Sequence, residues 1–192
     1  RTVEQFQLLL AGMVADEQCG VAELPLLPAA QRQLLDSFHG RVTDYPREAT
    51  MHGLFEAQAE RTPATLAVVH AQTMLSYAEL NRRANQLAHY LRARGVGRGS
   101  QVGVCLRRSE SMVVALMAIL KAGGAYVALD PNYPDQRLAD MVDDSDTAWL
   151  LTQSDLTERL AGHPVLGRAH TALLPLDALA EALAVQPQTN PE

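Results

Sequence analysis

The chain is short of the features that mark several protein classes. Only two cysteines, Cys19 and Cys105, occur in 192 residues; they lie far apart and form no CxxC pair, so neither a disulfide framework nor a zinc site is expected. That thiol usage fits a reducing compartment, and a cytoplasmic protein is expected. Positive charge is scarce: Lys121 is the one lysine, and the formal net charge is −6 with a pI near 5.5. With aromatics at 5% and no arginine-rich stripe, a nucleic-acid partner is not expected. No apolar run approaches the roughly 20 residues a membrane helix needs, and Arg1 opens no signal-peptide pattern. The missing initiator methionine reads as a piece cut from a longer chain. There is no fixed-period repeat and no low-complexity block.

What is present is enough apolar residue, 47%, to build a core, arranged in two styles. Residues 2–15 carry Val3, Phe6, Leu9, Leu10, Met13 and Val14 at helical spacing, which predicts a helix with one apolar face. Pro28 is placed to start a second helix through Gln31, Leu34 and Leu35, ahead of a polar stretch over 37–50 containing Gly40 and Pro46. From Met51 the pattern becomes helix and strand in alternation, which is what a mainly parallel sheet layered with helices requires. A helix over Met51, Leu54 and Phe55 ends near Pro63; residues 66–69 and 73–75 pair as a hairpin. Ser76 and Glu79 form a capping-box signature, and Tyr77, Leu80, Ala84, Leu87, Ala88 and Leu91 repeat on one face of the helix that follows, with arginines on the other. Residues 101–106 read as a strand, a helix opens at Pro134, and 148–151 is a further strand. Weaker signals run to Leu183, and the tail 186–192 has no apolar content to fold.

The most informative stretch is Leu120-Lys121-Ala122-Gly123-Gly124-Ala125-Tyr126-Val127-Ala128-Leu129-Asp130-Pro131. Ser109 caps a helix whose residues 112–120 are apolar on every side, so other elements must cover most of it. Lys121 faces the negative end of that helix, and Gly123 or Gly124 closes it in the left-handed conformation. A short strand follows until Pro131 stops the ladder in an Asp-Pro-Asn-Tyr-Pro turn. This segment, with Leu75-Ser76-Tyr77-Ala78-Glu79-Leu80 upstream, resembles the first two sequence motifs of amino-acid adenylation domains of nonribosomal peptide synthetases. The likeness runs through Phe55-Glu56-Ala57-Gln58, Arg61-Thr62-Pro63, residues 80–88, Tyr133-Pro134 and Arg137-Leu138. One departure is Ala128, where the family usually has proline; alanine restores a backbone donor and loosens one torsion.

Several patterns invite chemistry and have a plainer explanation. Gly95-Val96-Gly97-Arg98-Gly99 follows a helix and enters a strand, the reverse of a nucleotide loop, so it reads as a helix stop. Neither GxxxxGK[ST] nor GxSxG occurs. Asp140, Asp143, Asp144 and Asp146 read as a solvated acidic helix end balanced in part by Arg137, not as a magnesium site. His163 and His170 flank Pro164 and Gly167 in an expected loop, and Cys105 in a hydrophobic strand reads as a buried inert thiol. Lys121 is accounted for by its helix end, and Tyr77 and Tyr126 by packing. No catalytic, cofactor-binding or metal residue is assigned.

The resemblance implies an adenylate-forming enzyme fold, α/β with a mainly parallel sheet, incomplete at its C-terminal edge and preceded by a helical linker region. It implies residues 1–18 as the last helix of a condensation domain, 19–50 as an interdomain linker, and 51–192 as the N-terminal part of an adenylation domain ending before the phosphate loop. The complete parent would use ATP and magnesium to activate an amino acid and would load it on the phosphopantetheine thiol of a peptidyl carrier domain. Its partners would be the condensation domain, the rest of the adenylation domain and that carrier. This chain alone is expected to be inactive scaffold binding no cofactor, and only marginally stable. Two alternatives stay open: a noncatalytic linker or docking module, and part of an acyl-CoA or aryl-acid activating enzyme.

Overall fold

The computed structural model describes residues 2–40, 43–162 and 171–191, so His163 and His170 lie outside the described residues. The chain divides into two compact units, Arg1–Arg47 and Glu48–Glu192. The first holds helices α1 (Thr2–Ala15) and α2 (Ala29–Phe38), the latter entered from Pro28 in an extended conformation. Neither helix buries a residue, and Val3, Phe6, Leu10, Met13 and Val14 of α1 remain exposed. Leu24 is the one buried hydrophobic among its described residues; beside it, Gly12 lies so close to Pro25 that a Cβ there would meet the ring at 2.8 Å.

The second unit opens with α3 (Met51–Arg61), capped by the Thr50 hydroxyl, which accepts from the Gly53 N–H at 3.1 Å. Strands β1 (Leu66–His70) and β2 (Thr73–Ser76) form the expected antiparallel hairpin, turning at Ala71 with φ 51°. Helix α4 (Tyr77–Arg92) leads to β3 (Gln101–Val104), α5 (Glu110–Lys121), β4 (Ala125–Ala128), α6 (Asp135–Asp144), β5 (Trp149–Thr152), α7 (Ser154–Ala161), β6 (Ala172–Pro175) and the short α8 (Ala180–Ala184). The four later strands make one sheet in the order β4-β3-β5-β6, every pair parallel, with Val104 opposite both Ala128 and Leu151.

Strand alternation divides the core in two. Val102, Val104, Leu106, Leu151 and Leu174 pack with α4 and α5 on one face, and Cys105, Leu129 and Leu150 pack with α6 and α7 on the other. The chain therefore leaves β3 over one face and β5 over the other, the doubly wound arrangement. Helix α5 lies between α4 and the sheet, and from Ser111 to Ala122 none of its residues is exposed, as its all-round apolar sequence requires. Helices α4 and α5 end alike. The Val96 N–H reaches the Leu91 carbonyl and Gly95 that of Arg92; Gly124 reaches Ile119 and Gly123 reaches Leu120. Gly95 and Gly123 each take φ 87°, the left-handed position of a Schellman stop.

The open edge of β4 explains the tolerance at Ala128. The Ala125 and Leu129 N–H groups donate to the Ser100 and Val104 carbonyls at 2.8 and 3.0 Å, so by alternation the Ala128 N–H points away from β3. Proline at this position would cost no ladder bond.

Candidate functional site

The first motif segment builds a helix start. The Ser76 hydroxyl accepts from the Glu79 N–H at 3.2 Å, but the return limb of the expected capping box does not form. Glu79 instead turns outward and accepts two bonds from Arg82, both 2.8 Å, and one from Arg83 at 2.6 Å. Arg82 is the main reason its carboxyl falls from an ordinary 4.5 to about 2, against a smaller opposing effect of burial. Arg82 also donates to Gln86 at 2.9 Å, so the arginine face of α4 is tied to its own helix. Tyr77 packs its ring 5.9 Å from that of Phe55.

The second motif segment corrects two expectations. Lys121 ends α5 as expected, but the helix end is not its whole account: its side chain is 0% exposed, paired with Glu56 and 5.7 Å from the centre of the Phe55 ring. Burial drives its pKa below the usual lysine value, and the Glu56 carboxylate works against that. Nor is the tail unattached. Asn190 Oδ1 accepts from Lys121 Nζ at 3.1 Å, Asn81 Nδ2 at 3.1 Å and Asn85 Nδ2 at 3.0 Å, and Asn85 Nδ2 also donates to the Gln188 carbonyl at 2.7 Å. His89 Nε2 lies 2.9 Å from the Thr189 carbonyl. The signal for this was legible as Asn81 and Asn85, polar residues four apart on the helix that carries the apolar face.

In doubly wound sheets, ligands bind outside the carboxyl ends of the strands where the winding reverses, here between β3 and β5. This chain occupies that place with its own groups. The Arg107 N–H donates to Gln153 Oε1 at 3.0 Å, its guanidinium pairs with Asp155, and the Asp177 carboxylate takes the Ser154 N–H at the start of α7 at 2.9 Å. Beside it, along the free side of β4, lies an open cleft of about 490 Å³ with Val104, Leu106, Met112 and Leu116 as its apolar wall and Arg108, Tyr126, Asp130 and Asn132 around it. Tyr126 is 45% exposed there, contrary to the packing role expected for it. Asp130 Oδ1 is engaged by the Asn132 N–H and side-chain amide, both at 2.9 Å, which shapes the turn after β4.

The remaining patterns resolve locally. Gly95-Val96-Gly97-Arg98-Gly99 is the α4 stop; the backbone of Gly97 and Arg98 packs against Gly123. Asp140 accepts from Gln136 at 2.7 Å, and Arg137, expected to balance the acidic end, lies over the Tyr133 ring at 4.3 Å. No group of three or more His, Cys, Asp or Glu that could hold a metal occurs among the described residues. Cys19 and Cys105 are free thiols; burial pushes Cys105 up to about 11. The glycine-rich turns thus end helices, and the donor at the start of α7 is taken by a carboxylate.

Residues 55–190 match the AMP-binding enzyme family. The whole chain is 40% identical to a stretch of a linear gramicidin synthase from Brevibacillus parabrevis, a stretch that makes up 2% of that protein. Among solved structures it resembles the nonribosomal peptide synthetase FmoA3 in its α-methyl-L-serine-AMP bound form, with a TM-score of 0.72 and 32% identity over 99% of this chain and 21% of that one. The N-terminal domain of FACL13 from Mycobacterium tuberculosis, at 19% identity, shares the fold alone, with a TM-score of 0.67 over 74% of this chain and 38% of its own. The chain therefore spans a small fraction of the synthetases it matches. No helix among the described residues is long and apolar enough to cross a membrane. A family match over most of the chain, on a parallel α/β sheet shared with solved nonribosomal peptide synthetases, establishes that this chain belongs to the AMP-binding enzyme family.

Proposed function

We propose that this chain is the leading part of the adenylation domain of a cytoplasmic nonribosomal peptide synthetase, and that it serves as scaffold. In the complete parent, the carboxylate of an amino acid attacks the α-phosphate of ATP, pyrophosphate leaves, and the aminoacyl group passes to a phosphopantetheine thiol on a carrier domain. Such a displacement depends on positioning and on neutralising phosphate charge. The groups that grip nucleotide and magnesium would follow residue 192, where the resemblance puts the phosphate loop. Residues 1–18 would end a condensation domain, 19–50 would be the linker and 51–192 the adenylation part.

The observation that carries the scaffold reading is the self-filled reversal point between β3 and β5, where Gln153, Asp155 and Asp177 take the donors an anion would use. The test is amino-acid-dependent ATP–pyrophosphate exchange. The parent exchanges and the 192-residue chain does not; robust exchange by the short chain overturns the scaffold reading. A parent that ignores every amino acid but forms acyl-CoA or aryl thioesters overturns the substrate class. The exposed apolar face of α1 favours a second role, docking to a condensation domain. Binding of the chain to such a purified domain, lost on removing residues 1–37, supports that role.

A further inference from the structure

We propose that Lys121, acting through Asn190, is a positioning residue: the buried ammonium holds the tail 186–191 against α4 and α5 and so sets the direction in which the polypeptide continues past residue 191. The proposal rests on the reading above, in which the parent's nucleotide-gripping groups follow this segment.

The geometry has three parts. Glu56 neutralises the buried ammonium, which would otherwise be prohibitive to keep there, yet an ammonium has three donors and a second one is used on Asn190. Because Lys121 only donates, the amide oxygen of Asn190 must face it. Asn81 and Asn85 must then turn their nitrogens to that same oxygen. This orientation leaves Asn81 Oδ1 and Asn85 Oδ1 buried and without a hydrogen-bond partner in the protein. A core that needed only stability would be served better by apolar residues at both positions. The polar set is explained by what it grips. The tail is Gln-Pro-Gln-Thr-Asn-Pro and offers no large apolar side chain, so its attachment is polar: Asn190 at the knot, the Gln188 carbonyl on Asn85 and the Thr189 carbonyl on His89.

The test separates gripping from mere charge neutralisation with the double variant Glu56→Leu/Lys121→Met, which buries no lone charge, and with Asn190→Leu in the tail itself. In the 192-residue chain, the backbone order parameters of Gln188, Thr189 and Asn190 are expected near the rigid value of about 0.85 and to fall below about 0.6 in both variants. The thermal midpoint and the spectra of α4 and α5 stay near those of the unsubstituted chain. In the parent, both variants are expected to raise the KM for ATP in pyrophosphate exchange about tenfold or more, with the KM for the amino acid changed far less. A tail that stays rigid in the folded double variant overturns the proposal, since Lys121 then serves only Glu56. A loosened tail with unaltered exchange kinetics overturns the positioning role. A wild-type parent without exchange overturns the functional reading instead, and the order parameters still decide the grip.

Discussion

Residues 2–47 and 48–191 use the same local language and reach opposite burial. Helix α1 has apolar residues at helical spacing and buries none of them, whereas α5, apolar all round, has no exposed residue between Ser111 and Ala122. The difference is the sheet. In the second unit the β4-β3-β5-β6 layer offers two faces that strand alternation makes apolar, so α4 and α5 find one and α6 and α7 the other. In the first unit no strand is present among the described residues, and two short helices cannot enclose each other's faces. Amphipathic spacing makes a helix; a second layer makes a core.

The contrast is sharpest in the cost of truncation. Leu87→Ala, at a side chain 1% exposed in the core cluster that α4 shares with α5, should cost about 2–5 kcal/mol in urea unfolding. Phe6→Ala, at 60% exposure, should stay within about 0.5 kcal/mol. Equal losses at the two sites would break the comparison. Thiol chemistry gives the next largest difference. At pH 8 a disulfide reagent should take Cys19 at least about a hundredfold faster than Cys105, whose pKa near 11 and 1% exposure leave little reachable thiolate. Urea should abolish the gap.

Smaller effects refine the picture within the second unit. Glu79 has a depressed folded pKa, so its pairing with Arg82 and Arg83 contributes fully above its ordinary 4.5 and is lost as pH falls through about 2. The pair is partly exposed, and Glu79→Gln should therefore cost only about 0.5 kcal/mol at pH 7 while flattening the pH dependence of stability across that window. Least of all should change on removing residues 1–47: the remaining chain should keep one cooperative transition within a few degrees, measured by calorimetry. Loss of cooperativity would show that the second unit leans on the first.

Local chemistry was legible at helix caps, helix stops and tight turns. Ser76 and Ser109 accept from the N–H three residues on, at 3.2 and 3.4 Å, and Gly123 closes α5 with φ 87°. The Ala71 turn joins the two short runs that were expected to pair as a hairpin. Roles decided by competition between partners, even near ones, or by which side of the sheet is covered, were not legible. Glu79 fits a capping box in sequence, but two guanidiniums outcompete one N–H for its charge. The spacing of Arg137 suits the acidic end of α6, yet its guanidinium lies over Tyr133. Tyr126 alternates like a core residue on a strand whose far side is open.

What the sequence alone determined is the helices and strands up to β5, their stops, and the likeness to an adenylating family, because caps, periodicity and motif order act over a few residues. What only the tertiary structure decided is where the charges go. Lys121 and Asn190 are 69 residues apart and Arg107 and Asp155 are 48 apart, and no local rule joins them. They meet because burying apolar faces sets the layers and so decides which charges come within reach; the exposed Arg107 and Asp155 gain a partner that way, and the buried Lys121 requires one.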